Sequence, residues 1–273
     1  MIGVGPFSIQ VVIVALAALA AWLLARVTAK RFVPDKPYKA AGSLILDALF
    51  WGLLSARLGY IAQWWREYSA APMSMLAIGD GGFSWWVGIL AGVAYLWWRT
   101  RGRRALRRSL FAGTLAGLAV WFAAGVALEQ MQRSAPGLPQ LQLTTLDGQP
   151  INLAAYKGRP VVLNLWASWC PPCRREMPVF EQAQKTFPDM VFVMVNQGET
   201  AQQAGNFLRR QGLALTDVLL DSSSQAMKAM GSRGLPTTLF FDAQGRLVDS
   251  HVGELTMAGL KGIVSRRFSN IER

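Results

Sequence analysis

The chain has 273 residues, 52% of them hydrophobic, and carries 28 Lys/Arg against 16 Asp/Glu for a net charge of +12. That apolar content excludes a disordered chain, and the distribution of charge argues against a nucleic-acid partner. Residues 1–133 hold 14 basic and 5 acidic side chains, whereas residues 134–273 hold 14 and 11. The excess belongs to the apolar half, gathered at 26–39 and in "RTRGRRALRR" (99–108) between long apolar runs, which is the pattern of cytoplasmic loops in a membrane protein.

In chain order, four segments are predicted to cross a bilayer: 7–24, 41–64, 84–98 and 110–128, the third short of the roughly 20 residues a span needs. Trp64, Trp65, Trp85, Trp86, Trp97 and Trp98 cluster at their ends, where interfacial anchors belong. No positive charge precedes the first segment and Arg26, Lys30 and Arg31 follow it, the wrong polarity for a cleaved signal peptide, so this span is expected to stay. With both basic blocks cytoplasmic, the N-terminus and the 66–83 loop lie outside, and the fourth span delivers everything after Glu129 outside. Asp47 and Arg57 fall within the second span, where ionisable groups are costly and usually paired; a structural pair between helices is expected.

Beyond residue 133 the texture changes. "SAPGLPQ" (134–140) reads as a linker, so a membrane domain at 1–133 is expected to precede a second domain at 134–273. "VVLNLWA" and "MVFVMVN" read as buried strands, "TTLFFD" and "LVDSHVG" as a later pair, with "TAQQAGNFLRRQG" and "SSSQAMKAMGS" as helices between them. Strands interleaved with helices predict an α/β domain whose sheet is covered on both faces, and its length suffices for one core.

"WASWCPPCRREMP" (166–178) holds both cysteines of the chain, where a strand ends and a helix begins. A helix N-terminus offers unpaired N–H groups and partial positive charge, so a cysteine there ionises readily, and the thiolate is the reactive form. Cys170, at the exposed end of the turn, is the expected nucleophile, and Cys173, one turn in, the resolving thiol. Two cysteines and the single His251 fall short of the four ligands of structural zinc, and a structural disulfide here would close too small a loop to stabilise much. Redox chemistry without metal or cofactor is the expectation. In "GLPTTLFFD" Pro236 precedes a strand; a cis bond there would turn the Leu235 backbone toward the sulfurs and leave it free for an extended substrate, and a trans proline opening a strand is the alternative.

From about residue 141 onward the chain resembles the thioredoxin fold, specifically the TlpA/ResA-like family of membrane-tethered disulfide reductases. The residues that carry the likeness are "LTTLDGQPINLAAYKGRPVVLNLWASWCPPCRREMP" and "GLPTTLFFD". The resemblance implies that Pro236 is cis, that Trp169 flanks the disulfide, and that Pro178 kinks the active-site helix. It departs from thioredoxin at Asn164, which stands where thioredoxin has a buried Asp. Asn cannot take a proton, so the acceptor for Cys173 is unassigned; Glu176 and Glu199 are the nearest candidates by family likeness, each expected at a helix end or on the surface. Pro171 and Pro172 remove two N–H donors near Cys170, which leaves its thiolate less stabilised and favours a reductant. Arg174 and Arg175 pull the other way, screened by solvent. A disulfide oxidase or isomerase, or a nonenzymatic redox sensor or chaperone with a lipid-handling membrane domain, are the competing functions.

In the first half, "ARLGY" (56–60), Asp47 ten residues before Arg57, and "GDGGFSWWVGILAG" (79–92) resemble the N-terminal part of prolipoprotein diacylglyceryl transferase. Trp86 stands in the place of that family's functional His, and the family's later portion is missing. The first half contains no cysteine, so it cannot relay electrons by thiol exchange. Family likeness therefore implies a DsbD-like electron donor, a cysteine-containing extracytoplasmic client protein, and a multi-pass bacterial inner-membrane protein with its C-terminal domain in the periplasm.

Overall fold

The computed structural model describes residues 3–4, 7–32, 38–133 and 137–268. Residues 33–37 of the first basic block and 134–136 of the linker lie outside them. Two-residue strands β1 (Gly3–Val4) and β2 (Phe7–Ser8) pair antiparallel and lead into α1 (Ile9–Phe32), followed by α2 (Tyr38–Gln63), α3 (Trp65–Ala70), α4 (Trp85–Arg99) and α5 (Arg104–Arg133). The first apolar helix thus starts after the expected position 7.

Among the described residues three helices are long and apolar enough to cross a membrane, over Val12–Arg31, Ala41–Gln63 and Leu106–Leu128. This corrects the expected four. The segment predicted at 84–98 is helical, but α4 has 15 residues, about 22 Å at 1.5 Å per residue, against a hydrocarbon thickness of about 30 Å. Its last turn closes on Thr100, whose N–H reaches the Leu96 and Trp97 carbonyls.

The helices meet along glycine seams. A Cβ on Gly88 would lie 2.9 Å from the Gly52 carbonyl oxygen, and one on Gly92 would lie 3.2 Å from that of Ala48, so α4 approaches α2 backbone to backbone. Gly113 and Gly117 give α5 the same approach to Ala21 and Ala17 of α1, at 2.6 and 2.9 Å. Small residues at such spacing are how helices associate in lipid. Asp47 and Arg57 use separate partners rather than the expected pairing. Asp47 accepts a hydrogen bond from Tyr95 Oη at 3.2 Å. Arg57, ten residues and about 15 Å further along α2, donates to Tyr68 Oη and the Gly82 carbonyl and lies over the Tyr68 and Phe83 rings.

By compactness the chain forms two units: Ile9–Ala71 with Gly82–Glu129, and Gln130–Arg273 with Pro72–Gly81 and Met1–Ser8. The second unit holds a seven-stranded sheet of order β4-β3-β7-β6-β5-β8-β9. Its elements are β3 (Gln142–Thr145), β4 (Pro150–Asn152), β5 (Val161–Trp166), α6 (Pro171–Thr186), β6 (Val191–Gln197), α7 (Ala201–Gln211), β7 (Val218–Asp221), α8 (Gln225–Ala229), β8 (Thr237–Phe241), β9 (Leu247–Val252) and α9 (Met257–Arg267). β5, β6 and β7 are parallel, while β8 joins β5, and β9 joins β8, antiparallel.

Every residue of β5 and β6 is buried, because helices cover both faces and the strands need no polar side. Alternate residues point to opposite faces. Val161, Leu163 and Leu165 join one core with Val193, Leu239 and Phe241, whereas Val162 and Trp166 join Met177, Phe180, Phe207 and Leu260 in the other. Asn164 therefore projects into the face that α6 covers. The expected strands and helices are present, and the sheet and its cover also include the β3–β4 hairpin, β7 and α9, which the sequence reading does not predict. The hairpin had a signal in Asp147-Gly148, whose glycine has φ +79°, the backbone that a tight turn reserves for glycine.

Candidate active site

The loop after β5 carries Ser168 and Trp169 to Cys170, which is the N-cap of α6. Pro171 and Pro172 occupy the first helical turn, where absent N–H groups cost least, and the Cys173 N–H points at Cys170 Sγ, 3.3 Å away. Cys170 and Cys173 form a disulfide. Trp169 is 67% exposed beside it, and Cys170 itself is 3% exposed. The expectation of an exposed Cys170 is thus corrected: the oxidised pair is sunk into the α6 core with Trp166 and Met177. Pro178 lies inside α6, which runs on to Thr186.

The Leu235–Pro236 bond is cis, as the family resemblance implies. Pro236 immediately precedes β8, whose Thr237 pairs with Leu165 near the end of β5. The sheet therefore brings the proline segment and the Cys170 turn to the same end of neighbouring strands.

Both candidate carboxylates depart from expectation. Glu176 is fully buried rather than superficial, three residues after Cys173 on the same face of α6. Asn164 Nδ2 donates to its Oε1 at 2.8 Å and the Leu255 N–H to its Oε2 at 2.9 Å. Burial pushes the Glu176 carboxyl up to about 8, despite those two donors, and the neighbouring Glu254 carboxylate adds to the rise. Asn164 also donates to Thr238 Oγ1, its register partner on β8. Glu199 is likewise buried, but it anchors the loop: Ser168 donates to it through N–H and hydroxyl, and Asn196 Nδ2 donates at 2.7 Å.

The segment after β9 completes the surroundings and had escaped sequence reading. Glu254 pairs with Arg175 at 2.6 Å, Leu255 binds Glu176, and Thr256 caps α9 by accepting the Gly259 N–H. The nearby His251 Nε2 donates to the Glu254 carbonyl at 3.3 Å, and burial holds its pKa below the usual value.

A sheet of this order with a Cys-X-X-Cys disulfide at a helix N-terminus and a cis-proline before the adjoining strand defines a thioredoxin-fold thiol-disulfide oxidoreductase. The redoxin family matches residues 132–262 and the prolipoprotein diacylglyceryl transferase family residues 1–128, the latter over twice the stretch carried by the quoted motifs. The chain is 30% identical over 130 residues to the thiol-disulfide oxidoreductase ResA of Bacillus thuringiensis, covering 47% of this chain and 75% of the relative. It is 29% identical over 152 residues to the sporulation thiol-disulfide oxidoreductase A of Bacillus subtilis, covering 54% and 90%. The crystal structure of StoA from Bacillus subtilis aligns at 28% identity over 46% of this chain and 98% of that one, with a TM-score of 0.41. The chain belongs to the ResA-type family of thiol-disulfide oxidoreductases, with an N-terminal half similar to prolipoprotein diacylglyceryl transferase.

Proposed function

We propose that the protein is a multi-pass inner-membrane disulfide reductase whose domain at 134–273 faces the periplasm, carried by the membrane domain at 1–133. The Cys170 thiolate attacks a client disulfide, forming a mixed disulfide and releasing one client thiolate. Cys173 gives its proton to Glu176 and attacks Cys170 Sγ, releasing the second client thiolate; the client gains two electrons and Cys170–Cys173 becomes the disulfide. A DsbD-like membrane donor returns both electrons by the reverse exchange. Trp169 and the backbone beside cis-Pro236 hold the client chain.

The observation that carries this reading is the buried Glu176 one helical turn behind Cys173. A carboxyl titrating near 8 retains, in the oxidised protein, the proton it took from Cys173, and an acceptor poised near the working pH is the efficient one. The same burial explains how Asn164 can replace an aspartate: Asn164 orients the acceptor that it is not.

Pro72–Gly81 and Gln130–Arg273 belong to one compact unit, which supports a 72–81 loop and a redoxin domain on the same side of the membrane, as the two basic blocks suggest.

A Cys173→Ala variant should accumulate covalent mixed disulfides with periplasmic proteins, which non-reducing gels and mass spectrometry would identify, and Cys170→Ser should accumulate none. Equal capture by both variants, or capture by neither, would overturn the assignment.

A further inference from the structure

The loop between α3 and α4 holds two 3₁₀ turns, Pro72–Leu76 and Ile78–Asp80. The second ends in Asp80, 3% exposed, before Gly81 with its left-handed φ of +71°. Thr256 Oγ1 donates to Asp80 Oδ2 at 3.0 Å across 176 residues of sequence. The approach extends to the backbone: a Cβ on Gly259, in the first turn of α9, would lie 3.1 Å from the Asp80 carbonyl oxygen and 3.2 Å from Leu255 Cδ1. Residue 259 therefore leaves room for the loop to close on the 254–256 segment.

That segment has three successive anchors. Glu254 is held by Arg175, Leu255 N–H by Glu176 Oε2, and Thr256 by Asp80. Arg175 is 60% exposed, so its pairing is solvent-screened and weak as a restraint. The buried Asp80–Thr256 bond is the stronger one. We propose that Asp80 is a positioning residue for thiol exchange: by holding the Thr256 hydroxyl it fixes the 254–256 segment so that Leu255 keeps its N–H on Glu176 Oε2. This inference rests on the reading of Glu176 as the acceptor for Cys173, and it gives the 72–81 loop a part in the chemistry beyond anchoring.

The direction of the effect follows from what the N–H does. A donor to a carboxylate favours the charged form, so withdrawing it makes Glu176 hold its proton to higher pH. The other groups that act on Glu176 are the neutral Asn164 on β5, itself bonded to Thr238 on β8, and Glu254 on the loop after β9, which Arg175 of α6 pairs. Cys173 lies one turn before it on α6, and on β9 His251 interacts with Asp249, Asp80 and the Glu254 carbonyl. Asp249 is paired with Arg267. Of these, His251 also feels the charge of Asp80, which Asp80→Asn removes as fully as Asp80→Ala does, so the comparison of the two variants isolates the hydrogen bond.

The test uses the full oxidised chain in dodecyl maltoside micelles, whose detergent has no ester carbonyl to hide a protonated carboxyl in the infrared. The carboxyl band that disappears in Glu176→Gln belongs to Glu176, and its titration midpoint is followed from pH 5 to 11. Asp80→Ala should raise that midpoint by about one pH unit, the worth of one hydrogen bond to a charged group. Asp80→Asn and Thr256→Ser, which keep acceptor and donor, should leave it in place. An unmoved or lowered midpoint in Asp80→Ala, or a shift of the same size in Asp80→Asn, would overturn the role of Asp80. That readout does not depend on client turnover, so its failure is distinct from a failure of the disulfide-trapping experiment, which would remove the reductase reading itself.

Discussion

Replacing Glu176 by Gln should abolish a pH dependence that the wild-type domain owes to one buried proton. Glu176 sits in the α6 core with its carboxyl held up to about 8, against an ordinary 4.5. Between those values the folded domain keeps the proton and the unfolded chain releases it. The contribution to stability is therefore full below about 4.5 and is lost as pH rises through about 8. At about 1.4 kcal/mol per pH unit, the whole gap is worth roughly 5 kcal/mol, a large part of the 5–15 kcal/mol that holds a typical domain together. Gln stays neutral throughout and still offers its carbonyl to the Leu255 N–H. Urea-dependent pulse proteolysis of the oxidised full chain in micelles, at pH 5, 7 and 9, reads the unfolding of the redoxin domain. With a slope of about 2 kcal/mol per molar urea, the wild-type midpoint should fall by about 2 M between pH 5 and 9 relative to the variant. Parallel midpoints for the two proteins across that range would refute a buried, protonated Glu176.

Two further outcomes follow from the proposed function. A reporter that works only in the periplasm should be active after Arg273, and a cytoplasmic one when inserted near Arg104; the opposite pattern would reverse the orientation. The reduction potential, measured against glutathione buffers, should lie nearer thioredoxin's roughly −270 mV than DsbA's roughly −120 mV, because Pro171 and Pro172 leave the Cys173 N–H as the donor aimed at Cys170. A value above about −150 mV on that scale would make the protein an oxidase or isomerase.

Local chemistry made the redox turn legible. Cys170 and Cys173 sit where an unbroken apolar strand meets a Pro-Pro helix start, and both signals lie within a dozen residues. Central strands β5 and β6 were equally plain, since a strand buried on both faces is apolar throughout. What stayed hidden depends on long-range placement. Nothing in "CRREMP" separates Glu176, buried, from Arg174 and Arg175, exposed, until α6 is laid on the sheet and Asn164 is found beneath it. Glu199 reads as a surface acid until β6 brings it under Ser168. β7 escaped because "VLLD" is too short for periodicity to speak, and α9 because its "MAGLKGIV" run is buried nearly all round and so lacks a polar face. Asp80 and Thr256 are 176 residues apart, beyond any local rule.

The glycine seams between α2 and α4 and between α1 and α5 bear on how this half of the molecule can diverge. A methyl group on Gly88, Gly113 or Gly117 would lie 2.6–2.9 Å from a facing carbonyl oxygen and collide with it, and one on Gly92 would lie 3.2 Å away, a tight fit; backbone cannot rotate out of the way as a side chain can. Divergence should therefore be strongly anisotropic around each helix. Outward positions such as Leu16, Leu53, Leu90 and Leu115, all exposed, can exchange freely among bulky apolar residues, while Gly88, Gly113 and Gly117 admit no drift and Gly92 only a small residue at the cost of a slight backbone shift. Sequence comparison across such fusions would then show a helical half that looks variable by overall identity yet keeps a fixed comb of small residues, spaced four apart on α4 and again on α5.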